Sequence, residues 1–291
     1  MRNSLSSRRQ AGILSLILEG RRIAFPEAIR GKRFDLPGGL LFLASLTAFL
    51  LGLNKGADWG WASLPVLGLL VGSVLLMVIF TLVEGNSPAP MLDLSLFRVP
   101  LFSAATASAV LNYICVYTIT FLMPFYLIQG RGLNSAQAGL LLTAQPVIMA
   151  IAAPISGAFS DRTGSRWPGM IGMGLLSAGL FMLSGLGSST PLLFAGLALA
   201  LAGLGTGTFI SPNTSALMGS APKHRQGIAS GVQAAARNVG MVLGIGLAGA
   251  IFTTHLAQPA PEALFRGIDM GFQVAGGIAM FGIFISAIKE K

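Results

Sequence analysis

The chain has 291 residues, 53% of them hydrophobic and only 10% charged, with a mean hydropathy of +0.75. About a quarter of the residues in a soluble domain carry charge, so this composition excludes an ordinary soluble protein and reads as an integral membrane protein. The net charge of +9 does not point to nucleic acid, because eight of the 19 Lys and Arg crowd into the first 33 residues and most others sit in a subset of the short loops, which is the bias that sets membrane topology.

Residues 1–35 carry Arg2, Arg8, Arg9, Arg21, Arg22, Arg30, Lys32 and Arg33 around one short apolar patch, Ala11–Leu18. Eight residues cannot cross a bilayer. A signal peptide would need a small-x-small cleavage site, and none precedes Glu19-Gly20-Arg21-Arg22. The segment reads as a basic arm, cytoplasmic or lying in the interface.

Eight apolar runs follow: Leu36–Leu53, Leu64–Val83, Val99–Ile128, Ala136–Phe159, Trp167–Leu186, Pro191–Met218, Ala234–Thr254 and Met270–Ile288. All are predicted as transmembrane helices, since open sheets leave unpaired backbone groups in lipid and these runs are too long for barrel strands. The fold class is therefore an all-α membrane bundle. Trp59 and Trp61 fall between the first two runs, where amphipathic rings favour the interface. The linker Glu84–Pro100, with three prolines and charges of both signs, separates a pair of helices (36–84) from a block of six (99–291), with 85–98 as the loop between them. Counting Lys and Arg in alternate connections gives fifteen on one side and three on the other, Lys55, Arg131 and Arg266. That split predicts a multi-pass protein with both termini and the Asp161 turn in the cytoplasm.

That turn, in the stretch APISGAFSDRTGSRW at Ala153–Trp167, interrupts two long apolar runs. Asp161 is expected just ahead of the next helix, where the dipole favours a carboxylate, with Arg162 or Arg166 in pairing distance. Gly164 supplies the left-handed conformation that a tight connection needs. The turn fits a conformational latch, and it equally fits a plain positive-inside turn with one acid. Arg237 also fits two roles. The charge-free run after it, Asn238–Thr254, is about 25 Å long, so the side chain either snorkels to headgroups or serves a cavity or latch. In the same span Gly227, Gly231 and Ala235, then Gly240, Gly244 and Ala248, recur at four-residue spacing and read as a helix-packing face.

For ligand contact the sequence offers mixed aromatic and polar stripes: Asn112 with Tyr113 and Tyr117, Gln145 with Met149, and Phe209 with Asn213. Such stripes suit hydrophobic cations, and each also fits simple helix packing. No metal-ligand cluster or nucleophile–base pair is present in the sequence, so neither a cofactor nor an enzyme is expected. Within the block of six, Asp161, Glu262 and Asp269 all lie at an edge or in a loop, although proton coupling normally needs a titratable group inside the membrane.

Three places resemble the major facilitator superfamily. GAFSDRTGSR at Gly157–Arg166 resembles the Asp-Arg loop between the second and third helices of each six-helix half. Ser211–Phe252 is similar to the region joining the fourth and fifth helices of the second half in drug:proton antiporters. FDLPGGLL at Phe34–Leu41 and PMLDLSLFR at Pro90–Arg98 resemble the boundaries of the two extra helices in the fourteen-span branch. The resemblance implies the C-terminal eight spans of a plasma-membrane multidrug efflux antiporter, with a further N-terminal half of six helices as partner. It implies lipid and a hydrophobic or cationic small molecule as the other partners, with no nucleic acid. It also leaves room for a truncated or assembly-partner product without transport of its own, and for export of sugars, peptides or siderophores.

Overall fold

The computed structural model describes residues 36–60, 62–86, 94–256 and 263–287. The basic arm and Trp61 lie outside the described residues. Nine α-helices and no strand occur among them: α1 Leu36–Trp59, α2 Leu64–Asn86, α3 Pro100–Pro124, α4 Ser135–Leu142, α5 Ala144–Thr163, α6 Arg166–Ser184, α7 Leu192–Gly219, α8 Gln226–Leu256 and α9 Ala263–Ser286. Among the described residues seven segments are long and apolar enough to cross a membrane, with α4 and α5 counted as one segment, Ser135–Thr163. The eighth expected span, α1, is 24 residues long and includes the apolar stretch Pro37–Phe49. The protein is a multi-pass helical membrane bundle.

Local sequence explains most boundaries. Val99 is extended, at φ −79° and ψ 113°, and Pro100 opens α3, where its missing N–H is an orphan in any case. At the far end of α3, Pro124 removes a helical donor, and the chain continues as one π-helical turn, Phe125–Gly130. Asn134 and Gln137 form a reciprocal capping box at the start of α4. The break between α4 and α5 falls at Thr143, because Pro146 has no N–H for the carbonyl of Leu142. Helices α8 and α9 begin at Gln226 and Ala263 rather than at the expected Ala234 and Met270. A run of uninterrupted apolar residues marks only the most hydrophobic part of a helix, whereas backbone hydrogen bonding continues through the more polar turns on either side.

Helices α1 and α2 pack on each other, with Gly52 against Leu70, and α1 also touches α8. The other helices form a ring in which α3 meets α8, α8 meets α9, α9 meets α6, α6 meets α7, and α7 returns to α3. Helix α9 also meets α3, and α5 lies against α7 on the outside of the ring. The main core collects Ile119, Leu122 and Tyr126 of α3 and its π turn, Met173 and Leu176 of α6, Phe209 of α7, and Phe272 of α9. A second, smaller core lies at the Asp161 end of the bundle. There the 3₁₀ turn Leu94–Arg98 inserts Leu96 among Phe102, Leu217, Ala229 and Val232. Ser103 Oγ donates to Phe97 O (2.5 Å) and Arg225 to Ser95 Oγ (3.1 Å), so this part of the linker is docked on the bundle.

Candidate functional site

The charged turn departs in one respect from expectation. Helix α5 runs on to Thr163, so Asp161 lies inside its last turn, at the negative end of the helix dipole, and not ahead of α6. The helix stops only at Gly164, whose φ of 82° and ψ of 167° suit glycine alone. Asp161, Arg162 and Arg166 are all exposed, and among the described residues no ion pair reaches Asp161. Arg166 instead lies over the ring of Trp167, 5.8 Å from its centroid. The tight contact of this motif is made by Gly157, where a Cβ would fall 2.6 Å from Ser211 Oγ of α7.

The candidate ligand residues do not converge on one pocket. Asn112 is fully buried, donates to Met173 Sδ of α6 (3.6 Å), and keeps an Oδ1 without a partner among the described residues. It faces the interior of the bundle. Tyr113 and Tyr117 are half-buried on α3, and Tyr113 lies within electrostatic reach of Tyr117 and of Arg237 on α8. These three form a cluster that joins two helices. Arg237 is exposed, eleven residues into α8 and so roughly 16 Å from its start. Gln145 and Met149 lie in the α5–α7 seam, their backbones against Gly203 and Gly207. Phe209 is buried, and Asn213 links α7 to α3 by accepting from Ser108 Oγ (3.1 Å) and donating to Ala105 O (3.0 Å). Phe209, Asn213 and Ser286 border a cavity of about 20 Å³, large enough for one water.

The four α8 glycines expected to form a packing face divide. A Cβ at Gly240 would lie 2.5 Å from Tyr113 Cβ, and one at Gly244 would lie 2.5 Å from Ile114 O, so both pack on α3. Positions 227 and 231 meet nothing within 4 Å among the described residues. With Ser230, Ala234 and Arg237, all exposed, they form one open stripe of small and polar residues at helical spacing.

Residues 105–290 match the sequence profile of the Major Facilitator Superfamily. The chain belongs to this superfamily. Among similar proteins, multidrug resistance protein Stp of Mycobacterium tuberculosis is 30% identical over 240 residues, which are 82% of this chain and 44% of that protein. The tetracenomycin C resistance and export protein of Streptomyces glaucescens is 31% identical over 231 residues, 79% of this chain and 43% of that protein. Riboflavin transporter RibZ of Clostridioides difficile is 27% identical over 262 residues, 88% and 56% of the two chains. The chain spans about half the length of the relatives it matches.

Two features of this superfamily member escaped the sequence reading. The first is the run Gly203-Leu204-Gly205-Thr206-Gly207 in α7. Gly203 and Gly207 lie on one face, against the backbones of Gln145 and Met149, while Gly205 lies opposite, against Leu176 and Gly172 of α6. At 100° per residue, alternate glycines serve two faces, a signal legible in the spacing itself. The second is Arg131, which donates to Tyr126 Oη (3.1 Å), Gly187 O (3.4 Å) and Thr190 O. Tyr126 in turn donates to Gly187 O (3.1 Å), so the π turn is clamped to the α6–α7 loop.

Proposed function

We propose that this chain forms the C-terminal part of a secondary multidrug efflux transporter. Residues 99–291 make one six-helix wall, 36–84 the extra helix pair, 85–98 the loop between them, and 1–35 a basic arm. With a second six-helix half, the protein exports hydrophobic or cationic small molecules in exchange for protons by alternating access. It sits in the plasma membrane with both termini and the Asp161 turn in the cytoplasm, as the fifteen-to-three split of Lys and Arg supports. It acts as a transporter rather than an enzyme. Relatives with names of drug resistance support the substrate class.

The observation that carries this reading is the open face of α8. Gly227, Ser230, Gly231, Ala234 and Arg237 form a stripe ill suited to lipid tails, since exposed polar groups in hydrocarbon cost free energy. The stripe suits a second helical half or a water-filled central cavity, and the Tyr113–Tyr117–Arg237 cluster lies beside it. Among the described residues of the six-helix block the acids are Asp161, in the last turn of α5, and Asp269, which accepts from Gln273 near the start of α9 (2.7 Å). The proton-binding carboxylates are therefore assigned to the other half.

The test is reconstitution. In proteoliposomes with a pH gradient, the chain alone should carry no ethidium in exchange for protons. Fused behind a six-helix N-terminal half from a drug-exporting member of the superfamily, it should show substrate-driven proton release. Proton-coupled export by well-behaved monomers of the chain alone would overturn the reading. Orientation is tested separately by impermeant thiol labelling in a Cys115→Ser background, in which Ser188→Cys should react from outside and Thr163→Cys should not.

A further inference from the structure

Pro212 lies inside α7. Because proline has no N–H, the carbonyl four residues earlier, Thr208 O, loses its ordinary helical donor. In a membrane protein such a group needs a substitute from a neighbouring helix. Ser156 of α5 provides it, donating from Oγ to Thr208 O at 2.6 Å. The seam on either side is tight: Gly207 faces Met149 O one turn earlier, and Gly157 faces Ser211 Oγ beside the bond.

The proline also marks a change of partners. Before it, α7 is packed through Gly203, Gly205 and Gly207 on α5 and α6. After it, Asn213 bonds to Ser108 Oγ and Ala105 O of α3, and Thr214 Oγ1 accepts from Gln233 of α8 (2.6 Å). Leu217 enters the second core with Leu96 and Val232. One helix thus belongs to two groups of neighbours, and its backbone is weakest where it passes from one to the other.

We propose that Pro212 is a hinge in α7 and that Ser156 is the positioning residue that locks it. While the hydroxyl donates to Thr208 O, the α7 segment beyond Pro212 is held in line with α5. When the hydroxyl turns back to the carbonyl of Ala152 in its own helix, an alternative open to any helical serine, the segment swings with α3 and α8. The use of this motion in alternating access rests on the transporter reading; the lock itself does not, and its test measures backbone motion rather than transport.

The experiment is hydrogen exchange on the full chain in liposomes, read at the amides of residues 213–219. Ser156→Ala and Ser156→Val should each speed exchange about threefold, the size expected for an average interhelical side-chain bond in a membrane. Ser156→Thr should restore the wild-type rate. In a Pro212→Ala background, Thr208 O regains its helical donor and Ser156→Ala should change nothing. An equal effect of Ser156→Ala with and without Pro212 would overturn the lock, as would equal rates for the isosteric Thr and Val variants. The Thr and Val pair decides the matter if Pro212→Ala fails to fold.

Discussion

Gly203 and Gly207 of α7 and Gly227 and Gly231 of α8 share a four-residue spacing and have opposite environments. Gly203, Gly205 and Gly207 are wedged between α5 and α6, where the nearest atoms are backbone. Gly227 and Gly231 look out on open space among the described residues, while Gly240 and Gly244, further along the same helix, press on α3. A small residue is thus a permission for close approach, and whether a neighbour takes it up depends on which face the bundle turns inward. In α7 two helices have taken it up. At the start of α8 none has among the described residues, and the proposed second half would take up that face.

The comparison can be broken most sharply at Gly205. A Cβ there would lie 2.7 Å from Gly172 O and closer still to the backbone of Leu176. Backbone cannot swing aside, so Gly205→Ala should exceed the usual overpacking cost of about 1–3 kcal/mol. The expected outcome is loss of a folded, monodisperse peak in detergent; a normal melting curve would show that the α6–α7 approach is looser than described. Next in size is Gly244→Ala, with a single carbonyl, Ile114 O, at 2.5 Å. It should destabilise by about 1–3 kcal/mol, read as a lower thermal midpoint.

Arg131→Ala comes third. It removes the donor for Tyr126 Oη and two loop carbonyls and should cost about 1–2 kcal/mol, with faster proteolysis in the α6–α7 loop as the local readout. The smallest effect belongs to the open row. Gly231→Ala meets no neighbour and removes the helix penalty of glycine, so the chain alone should gain about 0.5–1 kcal/mol. In an assembled full-length transporter, Gly231→Leu should instead lower transport, because the face would then be occupied. Transport unchanged by that substitution would return α8 to a lipid-facing role. Asp161→Asn sharpens the same contrast at the charged turn. With no ion pair to lose among the described residues, stability should stay within about 0.5 kcal/mol, and a latch would show itself only as lost transport by the assembled protein.

What the sequence determined by itself was the part of the problem that lipid makes one-dimensional. Apolar run length marked out the spans, because a hydrocarbon layer of about 30 Å accepts only segments of that reach. Gly164 announced the end of α5, because its backbone angles admit no other residue comfortably. Tertiary structure decided everything that depends on which faces meet. It turned Asn112 inward onto Met173 while leaving its neighbour Tyr113 beside Arg237, because adjacent residues on a helix point about 100° apart. It gave the carbonyl freed by Pro212 to Ser156, fifty-two residues away along the chain. In lipid every backbone group must find a partner, and only the packed bundle determines where that partner comes from.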